Sequence, residues 1–159
     1  MTITSAQLQT IKADIAASGD LSIYPNTADG NFAIAALYNQ PAAPAFIVWR
    51  TSVPTSDCKK AMIWTEFIGR SVGERDAWQF MLSNGYINAA DPNVRQGILD
   101  IFSGAQGAQS RVALTAIAKR GATRLEKLLA TGTGSDASPA TMGAEGDISY
   151  ADIEAARSS

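Results

Sequence analysis

From Thr131 to Gly146 the chain reads TGTGSDASPATMGAEG, and Met142 is the one large apolar side chain in that stretch. A segment orders by itself only when buried apolar surface offsets the conformational entropy it loses, and this composition offers almost none. The stretch therefore divides the sequence. Residues 1–130 are predicted to form a small helical bundle, and residues 131–159 a long extended C-terminal arm, flexible in isolation and shaped by another polypeptide. Within the arm, Ser149 stands three residues before Asp152, the spacing of a helix cap, so a short terminal helix is expected with Ile148, Tyr150 and Ile153 as anchors. Removing 131–159 is expected to leave a soluble helical body.

Immediately upstream, Ala108 to Ala130 carries Leu114, Ile117, Leu125, Leu128 and Leu129 and predicts the longest helix of the chain. Gly121 in its middle costs about 1 kcal/mol relative to Ala, which points to a bend or a close backbone approach there. Arg120, Arg124 and Lys127 follow the i, i+4, i+7 spacing of one helix face, beside Arg111 and Lys119. Such a stripe suits either phosphates or the acidic side chains of a neighbouring subunit. Glu126 interrupts it, and no aromatic residue interleaves as a stacking platform for single strands requires.

Further towards the N-terminus the fold class is mainly α, with one short extended segment. Leu8, Ile11 and Ile15 predict a helix over Ser5 to Ser18, with Thr4 or Ser5 as cap, and Phe32, Ile34, Leu37 and Tyr38 a second over Asn31 to Gln40, stopped by Pro41. Ala45-Phe46-Ile47-Val48-Trp49 is too short to assign by periodicity and suits a strand or buried extended segment. Thr55 to Gly69 has a wide apolar helical face that something must cover. Ser71 and Glu74 form a capping box, Asn84-Gly85 ends that helix, and Asp91-Pro92 starts the next with Val94, Ile98, Ile101 and Phe102 facing the core.

Composition narrows the chemistry. The 159 residues hold 13 Lys+Arg against 15 Asp+Glu, a formal charge of −2, with no His and one Cys. Without His the chain lacks the side chain that titrates near neutrality and the commonest zinc ligand. Cys58 has no His to activate it and no second Cys to pair with, so it is read as a small buried or half-buried side chain. No phosphate-binding glycine loop, dinucleotide fingerprint or Cys-x-x-Cys occurs. Glu66, Glu74 and Asp76 are the only close carboxylates resembling a glycosidase pair, and the cap accounts for Glu74. The three Trp residues, at 49, 64 and 78, read as core. No window approaches the roughly 18 apolar residues of a membrane span, and no basic-then-apolar stretch resembles a leader. The expectation is a soluble, non-enzymatic protein without metal or cofactor, made in a reducing cytosol.

The order of several pieces is more telling than any one motif: Phe46-Ile47-Val48-Trp49-Arg50, then Gly73-Glu74-Arg75-Asp76-Ala77-Trp78, then Ile101-Phe102-Ser103-Gly104, then Arg120 to Leu128, then Pro139-Ala140-Thr141-Met142-Gly143. In this order the chain resembles the head–tail adaptors of tailed bacteriophages, also called connector or head-completion proteins. The resemblance implies a structural virion protein at the head–tail junction, made in the bacterial host cytoplasm. It implies a homo-oligomeric ring, a dodecamer as is usual, bound beneath the portal and continuing the DNA channel used in genome ejection. The implied partners are the portal protein, neighbouring copies of the chain, a tail-side or nozzle protein, and double-stranded DNA passing through the channel; no membrane is involved.

The arm and the basic stripe are then the expected contact surfaces. Pro139, Met142, Ile148, Tyr150 and Ile153 are the expected contacts to portal or neighbouring subunit, and Arg120, Arg124 and Lys127 face either another subunit or phosphate. The alternative function is a nucleic-acid-binding helical module, such as a small DNA-packaging subunit, using that basic stripe.

Overall fold

The computed structural model describes residues 2–159. In chain order the elements are α1 (Ser5–Ala17), α2 (Ala28–Tyr38), β1 (Ile47–Trp49), β2 (Val53–Pro54), α3 (Thr55–Ala61), α4 (Trp64–Ile68), α5 (Val72–Met81), β3 (Tyr86–Ile87), α6 (Pro92–Ile101), a 3-10 turn at Ala105–Gly107, α7 (Ala108–Ile117), β4 (Lys119–Gly121), α8 (Arg124–Leu129) and α9 (Tyr150–Ser158). The chain is mainly α, as its periodicity predicts. It forms two compact units, one built from the residues up to Val48 together with those from Gly121 onward, the other from Trp49–Arg120. Residues after 130 thus group with the N-terminal helices.

In the first unit α9 packs on α1 and α2. Thr4 caps α1 through a reciprocal box with Gln7, and Thr27 caps α2, which begins three residues before the predicted Asn31. Gly30 sits where a Cβ would lie 2.0 Å from the Pro25 carbonyl oxygen, so the entry to α2 tolerates no side chain there. Ile11, Ile34, Tyr38, Leu125 and Ile153 are fully buried and share one core with Ile15, Leu21 and Ile148. Ser149 and Asp152 cap α9 as their spacing predicts. At its other end Arg157 donates to the Tyr24 and Pro25 carbonyls, both at 2.8 Å, and to Asn31 Oδ1 at 3.0 Å.

The extended arm expected over 131–159 is therefore not what the chain forms. Its residues fold back into the first unit, and the means are backbone hydrogen bonds that composition does not reveal. Thr131 and Thr141 exchange N–H···O bonds of 2.9 Å in both directions. The Ile47 N–H donates to Gly134 O at 2.7 Å and the Ala140 N–H to Ile47 O at 2.9 Å, so the segment lies alongside Phe46–Val48. Gly134, at φ +66°, lets the Phe46 ring rest where a Cβ would collide at 2.1 Å. Ala140 is fully buried beside Val48 and Ala122. Removing 131–159 would strip Ile148, Ile153 and Ala156 from the core rather than release an appendage.

In the second unit β2 and β3 pair antiparallel, Val53 opposite Ile87 and Pro54 opposite Tyr86. The core gathers Val53, Cys58, Phe67, Trp78, Ile98, Phe102 and Leu114, with Trp78 and Phe102 edge to face at 5.2 Å. Cys58 is buried, as expected, and burial pushes its thiol up to about 11. Trp78 is core and Trp49 half-buried, whereas Trp64 is 63% exposed and departs from the core reading.

Two predicted helices are interrupted, each by bonds between segments remote in sequence. The 55–69 stretch breaks at Met62 and Ile63, both extended, because the Ile63 N–H donates to Ser110 Oγ. The long helix expected over 108–130 becomes α7, β4 and α8. Ala122 donates to Phe46 O at 2.8 Å and accepts from the Ala42 N–H at 2.9 Å, and the Arg124 N–H donates to Gln40 O at 2.8 Å, so these backbone groups serve residues 40–46 instead of a helix. A Cβ built on Gly121 would meet nothing within 4 Å, so side-chain crowding does not account for the glycine.

Ile153→Ala is expected to lower the stability of the folded protein by about 2–5 kcal/mol, the cost of emptying a closed core site. Urea unfolding followed by circular dichroism checks it: the midpoint should fall with little change in slope.

Candidate functional site

α8 carries two of the expected site residues, Arg124 and Lys127. Thr123 starts the helix by accepting the Glu126 N–H at 3.2 Å, and Glu126 Oε2 accepts the Thr123 N–H at 2.9 Å. The second Glu126 oxygen accepts the Gly146 N–H at 3.2 Å, and Glu126 is 1% exposed. Two residues on, the Ile148 N–H donates to Asn39 Oδ1 at 2.9 Å and Asn39 Nδ2 returns a bond to Ile148 O at 3.0 Å. The same capping box therefore orients α8 and delivers the chain to the start of α9.

This register turns Arg124 and Lys127 towards a cleft of about 500 Å³ bordered also by Asp14, Asp20, Gln40 and Leu128. Arg124 forms a two-pronged pair with Asp20, Nη2 to Oδ1 at 3.0 Å and Nη1 to Oδ2, and lies 5.6 Å from the centre of the Tyr38 ring. The Tyr38 hydroxyl donates to Asp14 Oδ2 at 2.8 Å, and Ser18 Oγ donates to the other oxygen at 3.1 Å. Burial and then the Asp14 hydrogen bond hold the Tyr38 phenol far above its ordinary range. The Arg124 hydrogen bond holds Asp20 below the usual carboxylate value, and the same bond raises Arg124. Lys127 Nζ donates to the Ala43 and Pro44 carbonyls at 3.4 and 3.5 Å, 5.9 Å from the Phe46 ring centre. Each cation of the cleft is thus engaged by groups of its own unit.

The single helix that would align the three basic residues does not form. Arg120 lies on β4 and belongs to the second unit, while Arg124 and Lys127 lie on α8 in the first, so the helical spacing that joined them has no helix to act through. Arg111, on α7, donates to the Phe102 and Gly104 carbonyls.

Of the five C-terminal contacts, Ile148 and Ile153 are buried in the first unit's own core, and Pro139 and Met142 are half-buried, Met142 against the Val48, Ala122 and Ala140 cluster. Tyr150 is the most exposed of the five, at 41%. Its ring stacks on Phe32, itself 55% exposed, with centroids 4.4 Å apart and planes 26° from parallel. Sequence reasoning missed Phe32, Asp14, Asp20 and Glu126 as members of this region. For Glu126 a signal existed, since Thr123 and Glu126 carry capping-box spacing, obscured by the assumption of one long helix.

Two of the three carboxylates considered for catalysis, Glu66 and Glu74, accept helix-start N–H groups. Glu66 accepts the Ser110 and Gln109 N–H groups at 2.8 and 3.1 Å, and bonding to Ser110 holds it below the usual range; Glu74 is lowered in the same way by Ser71, whose helix it caps. Neither has the raised value of a general acid. Among the described residues no group of acidic, Cys or His side chains is arranged to hold a metal ion, and no helix is long and apolar enough to cross a membrane. No family model, curated protein or solved structure matches the chain.

Asp20 gains its charge-assisted bond only when ionised, so the folded state is favoured above the ordinary aspartate value of about 4 and loses that gain as pH falls through the lowered folded value. Asp20→Asn should reduce the urea midpoint slightly at pH 7, as expected of an exposed pair, and the wild-type and variant midpoints should converge in strong acid.

Proposed function

We propose that this chain is a structural, non-enzymatic protein of a tailed-phage virion. In this proposal it is a head–tail adaptor whose copies form a ring, a dodecamer, beneath the portal, joining capsid to tail and continuing the DNA channel. The order of sequence pieces supports the family. The observation that carries the docking role is the Phe32–Tyr150 stack, a solvent-facing aromatic pair formed by α2 and α9. Aromatic rings bury large area at little entropic cost and recur as interface anchors. The element that would meet the portal or a neighbouring copy is then the preformed α2–α9 face, with Tyr150 as its contact, rather than a loose arm wrapping a groove. In a closed ring each contact repeats around the axis, so modest affinity per copy suffices for a lasting joint.

The DNA-packaging alternative rests on a basic stripe, and Arg124, its central member, is neutralised by Asp20. Phosphate binding at this site would require that pair to open.

Electron microscopy of the full-length chain, alone and mixed with purified portal rings from the phage that encodes it, tests the proposal. A collar on the portal with an open axis is expected. Phe32→Ser combined with Tyr150→Ser should weaken portal binding by roughly tenfold or more, with helicity retained, because both rings are exposed. A chain that stays monomeric and never binds portal overturns the adaptor role. DNA retardation that weakens steeply with salt would transfer the assignment to the packaging module.

A further inference from the structure

The turn that leaves α5 holds the chain's one Asn–Gly pair, Asn84-Gly85. The side-chain carbonyl carbon of an Asn lies one five-membered ring away from the main-chain nitrogen that follows it, which makes Asn chemically labile where nothing keeps the two apart. Three obstacles ordinarily do so: a side chain on the following residue, a hydrogen bond to the amide, and burial or helical backbone. Asn84 meets none of them. Asn84 and Gly85 are exposed, Gly85 has φ +80° and nothing within 4 Å of where a Cβ would stand, and among the described residues the Asn84 amide has no hydrogen-bond partner. A single restraint remains, the Gly85 N–H donating to Leu82 O at the long distance of 3.3 Å. The fold shields the other Asn residues. Asn31 is 3% exposed and accepts from Arg157, Asn39 is bonded twice to Ile148, Asn88 Oδ1 accepts the Ala90 N–H, Asn93 lies in α6, and Asn26 precedes the β-branched Thr27. Asp29-Gly30, which closes the same ring in a free chain, stands in the first turn of α2 with Gly30 buried and its N–H given to Thr27 Oγ1.

We propose that Asn84 is a modification site at which the chain deamidates and isomerises by itself. The Gly85 nitrogen, on losing its proton, attacks Asn84 Cγ; the Cγ–Nδ2 bond breaks, and the amide nitrogen leaves as ammonia with that proton. Water then opens the cyclic imide. Addition at Cγ yields an ordinary aspartate, whereas addition at the Asn84 main-chain carbonyl yields isoaspartate, whose backbone runs through Cβ and Cγ and is one carbon longer. Either product puts a new negative charge just beyond the C-terminal end of α5, where the helix dipole disfavours it. The isoaspartate also displaces Gly85. The Gly85 carbonyl accepts the Thr55 N–H at 3.0 Å at the start of α3, and the next residues, Tyr86 and Ile87, pair with Pro54 and Val53. Ageing therefore alters the second unit where α3, α5 and the β2–β3 pair meet. The proposal concerns atoms of the second unit and is independent of the virion role.

The test holds the folded full-length protein, and in parallel the chain unfolded in guanidinium chloride, at the same mildly alkaline pH and temperature. Peptide mass spectrometry follows amide-to-acid conversion at every Asn, with isoaspartate recognised by its backbone fragments. In the folded protein Asn84 should convert first, at a rate within roughly tenfold of the unfolded chain, the retardation that one exposed hydrogen bond imposes. Asn31 and Asn39 should stay intact, and Asp29-Gly30 should isomerise only in the unfolded chain. Raising the pH should accelerate the Asn84 reaction, because the attacking nitrogen must be deprotonated. Asn84→Gln should abolish conversion at this position, since the larger ring closes far more slowly, and should leave the unfolding midpoint unchanged, since the side chain is exposed. The isoaspartate-containing fraction should unfold at lower denaturant than fresh protein. An Asn84 that stays intact in the fold while it converts in guanidinium overturns the proposal, as does another Asn converting ahead of it. An isoaspartate fraction with an unchanged midpoint refutes the displacement of Gly85 from Thr55.

Discussion

The first unit turns on a carboxylate almost wholly withdrawn from water. Burying a polar group is costly unless hydrogen bonds replace its hydration, and the Glu126 carboxyl accepts them from two directions, the Thr123 N–H on one oxygen and the Gly146 N–H on the other. The first bond starts α8 at that residue and so determines which way Arg124 and Lys127 point. The second pins the last glycine of an otherwise featureless stretch, from where Asn39 takes hold of Ile148 and α9 begins. The burial of Ile153 against α1 and α2 follows from that placement.

The second unit uses the same physics. Glu66, from α4, occupies the N-terminal end of α7, where the unpaired N–H groups and helix dipole favour a negative charge, and Ser110 on that same turn takes the Ile63 N–H. The chain must leave helical geometry at Met62 and Ile63 for both bonds to form. A break that propensity would count as a defect is the means by which two helices lock together. Arg70, 8% exposed, closes the arrangement by donating to the Ser103 carbonyl at 3.0 Å. Glu66 here and Glu74 at the start of α5 serve as caps, and the bonds that hold them lower their values from the ordinary glutamate range.

What is left for function lies at the surface. Each unit keeps large rings in water: Phe32 and Tyr150 in the first, Trp64 and Phe80 in the second. The charges of the first unit's cleft are meanwhile matched internally, Arg124 by Asp20 and Lys127 by two carbonyls. In that cleft the cations are engaged within the unit, whereas the Phe32 and Tyr150 rings stay exposed, and the adaptor proposal draws on that contrast.

The local elements were legible in the sequence because their signals are local. Thr4, Ser71, Asp91 and Ser149 each cap a helix within a few residues of themselves, and the apolar spacing of Ile11 with Ile15 or Ile98 with Ile101 names a core face without reference to the rest of the chain. The fate of 131–146, the splitting of 55–69 and 108–130, and the dispersal of Arg120, Arg124 and Lys127 were decided only in three dimensions. Those outcomes depend on backbone N–H and C=O groups bonding partners scores of residues away. Every residue except Pro carries both groups, so they leave no mark on composition or periodicity.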